Sequence, residues 1–396
     1  LTGKFKYIMK KASPVRIVSA YYFLMYLMSS VLLPYTSLHF HDRGFSPSTI
    51  GYILSLWAFV GVIAQPVMGL LNDRLQRTKV LLFLLVLITP ASGLLFYTSN
   101  AFGAIVAVSL LFAWFQSSLP SMSDAAAVQI GRTQGFAFGN VRLWGALSYA
   151  IGAFAVGFYY EKYGYDHVFL MYALLAIPTA AIVFLLPVTH TNSARISVFQ
   201  QLGDVVRNRT FLFFCLISFM TMLAVTASAT FLPLYFDEHG FDKRFLGTAI
   251  ALAALIEVPM FWWAAKLGNK FGKSLLLAAA ASLYALKYLI LFLTSNVYMT
   301  LATQLLDGIA FAFFAGVAVE LVDRLAGART KATYQTLYAA VTWGLGGIAG
   351  NLIGGQIVEL RGVAFLYFVL FLLCASSALF YTRVRQEHSK LPKAGA

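Results

Sequence analysis

Charge is scarce in this chain of 396 residues: 11% of its side chains are Asp, Glu, Lys or Arg, and only 15 are acidic. A water-soluble chain usually carries about a quarter of its residues charged. Cysteine is nearly missing, and Cys215 and Cys374 both fall inside long apolar runs, so neither a disulfide framework nor a cysteine metal site is expected. No nucleotide-binding loop, hydrolase motif or metal-ligand cluster interrupts the sequence. Enzyme chemistry, ATP-driven work, a bound metal and an organic cofactor therefore drop out of the expectations.

What abounds is apolar: 60% of the residues are hydrophobic. Runs long enough to cross a bilayer recur about every 33 residues, with short loops between them. They predict twelve helices near 15–38, 48–70, 78–98, 102–127, 137–160, 166–188, 211–236, 245–266, 274–294, 298–322, 333–358 and 363–383. The expected fold class is an all-α integral membrane protein.

The net charge of +14 would draw nucleic acid if it were spread over a soluble surface, but its placement argues against that partner. With the N-terminus inside, only Arg43, Lys162, Lys243, Arg244 and Arg361 of the 29 Lys and Arg residues fall in outer loops. This positive-inside bias predicts a multi-pass protein with both termini cytoplasmic. The cytoplasmic basic residues also favour anionic lipid headgroups. Lys4, Lys6, Lys10 and Lys11 precede the first apolar run like the start of a signal peptide; that run continues to Leu38 without a small-residue cleavage pattern and is expected to be retained.

The second half repeats the first at an offset of about 196 residues. Gly44-Phe45 recurs as Gly240-Phe241, Asp73-Arg74 as Asn269-Lys270, Asp124 as Glu320 and Trp144-Gly145 as Trp343-Gly344. Each half has six spans and starts inside, the pattern of parallel repeats. The boundaries expected are 1–188 for the first six-helix bundle, a polar linker at 189–210, and 211–396 for the second.

Two six-helix halves joined by one linker resemble the major facilitator superfamily. The loop Gly69-Leu70-Leu71-Asn72-Asp73-Arg74-Leu75-Gln76-Arg77 is similar to that family's G-x-x-x-D-R-x-G-R signature, with Gln76 where glycine is usual. The resemblance implies a cytoplasmic gate in which Asp73 and Arg74 meet a neighbouring helix end, with Asn269 as a weaker second copy. Glu320 is expected to join Asp323 and Arg324 in a salt-bridge network at the same face. A topogenic basic loop without gating is the plainer alternative.

Phe136-Ala137-Phe138-Gly139-Asn140-Val141-Arg142-Leu143-Trp144-Gly145 narrows the resemblance to the oligosaccharide:proton symporters and the related phenylpropionate permeases. By that resemblance Asp124, Arg142 and Trp144 contact substrate. The chemistry fits, since a carboxylate accepts from hydroxyls, a guanidinium donates through a planar fork and an indole stacks on an apolar ring face. A purely structural Asp124–Arg142 ion pair is the alternative.

Counting along the later spans puts Glu257, Lys287 and Asp307 near the middle of the membrane, where ionised groups usually mark an ion or substrate path. One lysine cannot neutralise two carboxylates, so this trio is expected to carry proton coupling, with Glu257 also available to substrate. A static triad that fixes helix packing is the alternative, and sodium is a second possible coupling ion. The histidine–glutamate pair of the symporters is absent; Asp307 and Ala310 stand there.

The expectation is a monomeric secondary transporter of a bacterial inner or plasma membrane. It would run proton-coupled symport of a small polar organic solute (sugar, nucleoside or aromatic acid) by alternating access. Drug or metabolite efflux by proton antiport is the alternative, disfavoured because the fifth span lacks the proline of the exporters' glycine motif.

Overall fold

The computed structural model describes residues 13–98, 100–187, 208–326 and 330–384, and these form helices joined by short loops. We number the spans α1 (Pro14–Asp42), α2 (Pro47–Leu75), α3 (Thr78–Tyr97), α4 (Phe102–Gln134), α5 (Phe138–Tyr163), α6 (Val168–Val183), α7 (Arg209–Glu238), α8 (Lys243–Phe271), α9 (Lys273–Leu293), α10 (Val297–Leu325), α11 (Thr333–Arg361) and α12 (Val363–Tyr381). Eleven are long and apolar enough to cross a membrane, and α6 is a shorter apolar helix. Their outer faces confirm the solvent: Ile177, Trp262, Leu293, Leu360 and Leu379 are all more than 60% exposed, an apolar surface far beyond what a soluble monomer shows.

The twelve expected spans are all present, but their ends differ. Helix α4 runs to Gln134 and α2 to Leu75, past the apolar limits of 127 and 70, because polar residues continue a backbone ladder once it leaves lipid. Pro34 breaks α1 into two helical pieces around a 3₁₀ turn at Leu33–Tyr35. A π-helical stretch at Ala340–Leu345 interrupts α11. Starts are capped by side chains: Ser46 accepts from the Thr49 amide at α2, and Asp242 from the Arg244 amide at α8. Arg244 holds the Asp242 carboxyl well below the ordinary range, to about 2. Helix α2 ends on Gln76 at φ 52, the sole non-glycine residue with positive φ among those described. The usual glycine of the signature is thus a conformational requirement that Gln76 meets at a cost.

Packing follows the repeat. Helix α1 packs on α5, α2 on α4, and α3 on both α4 and α6; the second half repeats this with α7 on α11, α8 on α10, and α9 on α10 and α12. The bundles therefore form two pseudo-symmetric halves that meet along α2–α11 and α5–α8. Glycines set both crossings: a Cβ on Gly51 would stand 3.1 Å from the Gly355 Cα, and one on Gly157 3.4 Å from the Gly247 Cα. Direct polar contacts between the halves gather at this same end, where α2 and α8 begin, among them His41 and Asp237 at 3.8 Å. We call it the closed end. The expected linker, 189–210, lies outside the described residues except for its last three positions.

Candidate functional site

A cavity of about 510 Å³ lies between the halves, within the size range of small-molecule sites. Leu33, Pro34, Pro233 and Leu246 enclose it towards the closed end, while Arg142, Glu257 and Phe311 line it farther in. Helix geometry explains which side chains reach it. Arg142 and Tyr149 are seven residues, about two turns, apart on α5 and share one face; both line the cavity. Trp144, two residues from Arg142, points about 200° round the helix. It lies in a separate groove between α1 and α5, with Val15, Phe23 and Asn140, and is 48% exposed.

The Asp124–Arg142 ion pair weighed as the alternative is not direct: aromatic rings stand between the two. Asp124 accepts a 2.6 Å hydrogen bond from the Tyr22 hydroxyl. The Tyr22 ring stacks on Tyr26 at 5.9 Å, and the Arg142 guanidinium covers Tyr26 at 4.2 Å. A half-buried cation over a ring contributes about 1 kcal/mol. Asp124 is outside the cavity wall. It also lies ten residues before the end of α4 rather than at the helix end, because α4 continues to Gln134.

Of the later trio, Lys287 and Asp307 form a direct pair, Nζ to Oδ1 2.6 Å, with the lysine side chain 3% exposed and the aspartate 28%. Glu257 lines the same cavity but makes no hydrogen bond or ion pair with another described residue. Gly308 brings α8 and α10 together: a Cβ there would reach within 3.2 Å of the Glu257 amide. The net arrangement is one neutralised pair plus an Arg142 and a Glu257 that face the cavity from opposite halves.

Asp73 is half-buried, with Arg74 and Asn269 exposed. Glu320 pairs with the buried Lys273 at the start of α9, and Asp323 turns instead to Lys331 at 3.6 Å and to Gln335 at 2.8 Å. The neighbouring helix starts thus supply the cations that the sequence assigned to one local network. Tyr26 lines the cavity, whereas Tyr21 and Tyr22 are buried in packing; Trp343 is exposed and lies 6.1 Å from the cavity-lining Phe311.

Sequence reasoning missed Tyr149, Gln304 and Thr230 in the wall, for which uncharged polar residues in apolar helices are the only signal. It also missed Glu161 and Glu359, although both stand four residues after a glycine in corresponding places of the repeat.

The chain matches the model of the "MFS_1 like family" over residues 15–369. It is 26% identical over 355 residues to the maltose permease of Geobacillus stearothermophilus, covering 89% of this chain and 90% of that one. It is 25% identical over 359 residues to the uncharacterized transporter YwbF of Bacillus subtilis, 90% of each. Its backbone resembles a crystal structure of the nucleoside transporter NupG, with a TM-score of 0.85 at 14% identity, over 94% of this chain and 100% of that chain. Two six-helix bundles around one central cavity, with the family match spanning nearly all of the described helices, identify the chain as a multi-pass membrane transporter of the major facilitator superfamily, belonging to its MFS_1-like family.

Proposed function

We propose that the chain is a proton-coupled symporter of a small, neutral, hydroxylated solute, a sugar or a nucleoside, working by alternating access between units 1–188 and 211–396. The observation that carries this reading is the pair of unpaired opposite charges, Arg142 on α5 and Glu257 on α8, facing one cavity from the two halves. Hydroxyls can accept from the guanidinium and donate to the carboxylate, so one neutral ligand bridges the bundles without bringing net charge into the membrane. Tyr26, Tyr149, Gln304 and Thr230 add neutral donors and acceptors, and Phe311 an apolar face. The permease named for maltose and the transporter named for nucleosides both favour ligands of this chemistry.

Proton coupling falls to Glu257, because Asp307 is already neutralised by Lys287. A protonated Glu257 leaves a loaded cavity that can turn over without an extra buried negative charge. With both termini in the cytoplasm, the closed end faces outward and this conformation faces inward.

Proteoliposome uptake with an imposed proton gradient tests the reading. Arg142→Ala should abolish binding of a panel sugar or nucleoside. Glu257→Gln should lose uphill uptake while retaining exchange of solute across the membrane. Uphill uptake that survives Glu257→Gln, or gradient-driven extrusion in place of uptake, would refute it.

A further inference from the structure

We propose that Glu161 and Glu359 are twin latches that hold the closed end shut, each by capping the first turn of a helix in the opposite half. Glu161, near the end of α5, accepts from the Lys243 amide at the start of α8, Oε2 to N 2.7 Å. Glu359, near the end of α11, accepts from the Ser48 amide at the start of α2, Oε2 to N 2.9 Å. The two contacts are repeat mates: the donating helices α2 and α8 correspond, as do α5 and α11.

The chemistry is specific to helix starts. The first four amides of a helix have no partner within it, and the macrodipole places partial positive charge there. Each receiving helix already has its own cap, Ser46 or Asp242, which takes one amide. The glutamate of the other half takes a different one. A negative charge is thereby bound across the interface to a group that water must solvate if the halves part.

Position supports the same conclusion. Glu161 follows Gly157 by four residues and Glu359 follows Gly355 by four, so each carboxylate lies one turn beyond its glycine crossing on the same face. The glycine contact brings the backbones together and the carboxylate engages the helix end just outside it. On the α5–α8 side the Lys243 ammonium also sits 4.4 Å from the Tyr165 ring centroid, binding the same loop to the first half.

These are positioning residues: neither lines the cavity, and both act by setting the populations of the two access states. The proposal rests on the alternating-access reading above. It predicts that loss of one latch raises the open-to-closed ratio at this end about fivefold, and loss of both about 25-fold.

Spin labels on Tyr163→Cys and Tyr298→Cys, exposed positions on opposite halves at this end, report the separation by pulsed dipolar spectroscopy on the full chain in lipid nanodiscs. Glu161→Ala with Glu359→Ala should add a longer-distance population, each single variant should add less, and the Gln variants, which keep a neutral acceptor, should fall between wild type and Ala. A merely structural role would lower thermal stability and leave the distances of the folded fraction unchanged; that result overturns the proposal. Should the double variant fail to fold, unchanged distances in both single variants overturn it equally. The readout needs neither solute nor proton gradient, so failure of the uptake experiment and failure of the latch are seen separately.

Discussion

Removing either half of the Lys287–Asp307 pair should cost unequal amounts, and the structure fixes the order. The pair is close, 2.6 Å, but lopsided: the lysine side chain is 3% exposed and the aspartate 28%. Asp307→Asn leaves an almost fully buried ammonium without its ion-pair partner. Breaking a buried pair in this way costs about 3–5 kcal/mol. Lys287→Met leaves a carboxylate that can still reach cavity water, so its cost should be about 1–2 kcal/mol. The double variant carries no stranded charge and should recover to within about 1–2 kcal/mol of wild type, so that the two single losses together exceed the double loss by about 3–5 kcal/mol. Thermal unfolding of the purified protein in one detergent reads all four forms. For a chain of this size the Asp307→Asn loss corresponds to a fall in Tm of roughly 4–6 °C. The reasoning is refuted if Lys287→Met is the more damaging single change, or if the double variant is no more stable than Asp307→Asn.

Three further outcomes are expected. Gln76→Gly should stabilise the protein by about 0.5–1 kcal/mol, because φ 52 strains a side chain that glycine lacks; a lower Tm than wild type would contradict this. Trp144→Ala should change solute affinity less than about twofold, since the indole lies in a groove apart from the cavity; a tenfold loss measured by titration would return it to the binding site. Asp242 caps α8 with its carboxyl held down to about 2 by Arg244. Its depressed titration means that its contribution is complete above the unfolded carboxylate range and is lost only as pH falls through about 2. The Tm difference between wild type and Asp242→Asn should therefore be the same at pH 7 and pH 5.

By itself the sequence determined the membrane class, the number of spans, the internal repeat and the family resemblance. These depend on local quantities: apolar run length, loop charge and motif spacing, each of which the bilayer or the backbone reads one segment at a time. It also singled out Asp124, Arg142, Glu257, Lys287, Asp307 and Glu320, because an ionised group in an apolar helix is conspicuous wherever it points; four of them, Arg142, Glu257, Lys287 and Asp307, line the cavity. Tertiary structure decided which of those charges meet. Lys287 took Asp307 and left Glu257 opposite Arg142; Asp124 turned to Tyr22; Trp144, though only two residues from Arg142, turned out of the cavity; Glu320 paired with Lys273 across a helix junction. Each of these outcomes depends on helix rotation and on the distance between helices far apart in sequence, set by close packing at glycines such as Gly308 and Gly355. Glu161 and Glu359 make the same point from the other direction. Their shared spacing from a glycine was written in the chain, but nothing local says that each carboxylate ends against the first turn of a helix from the other half.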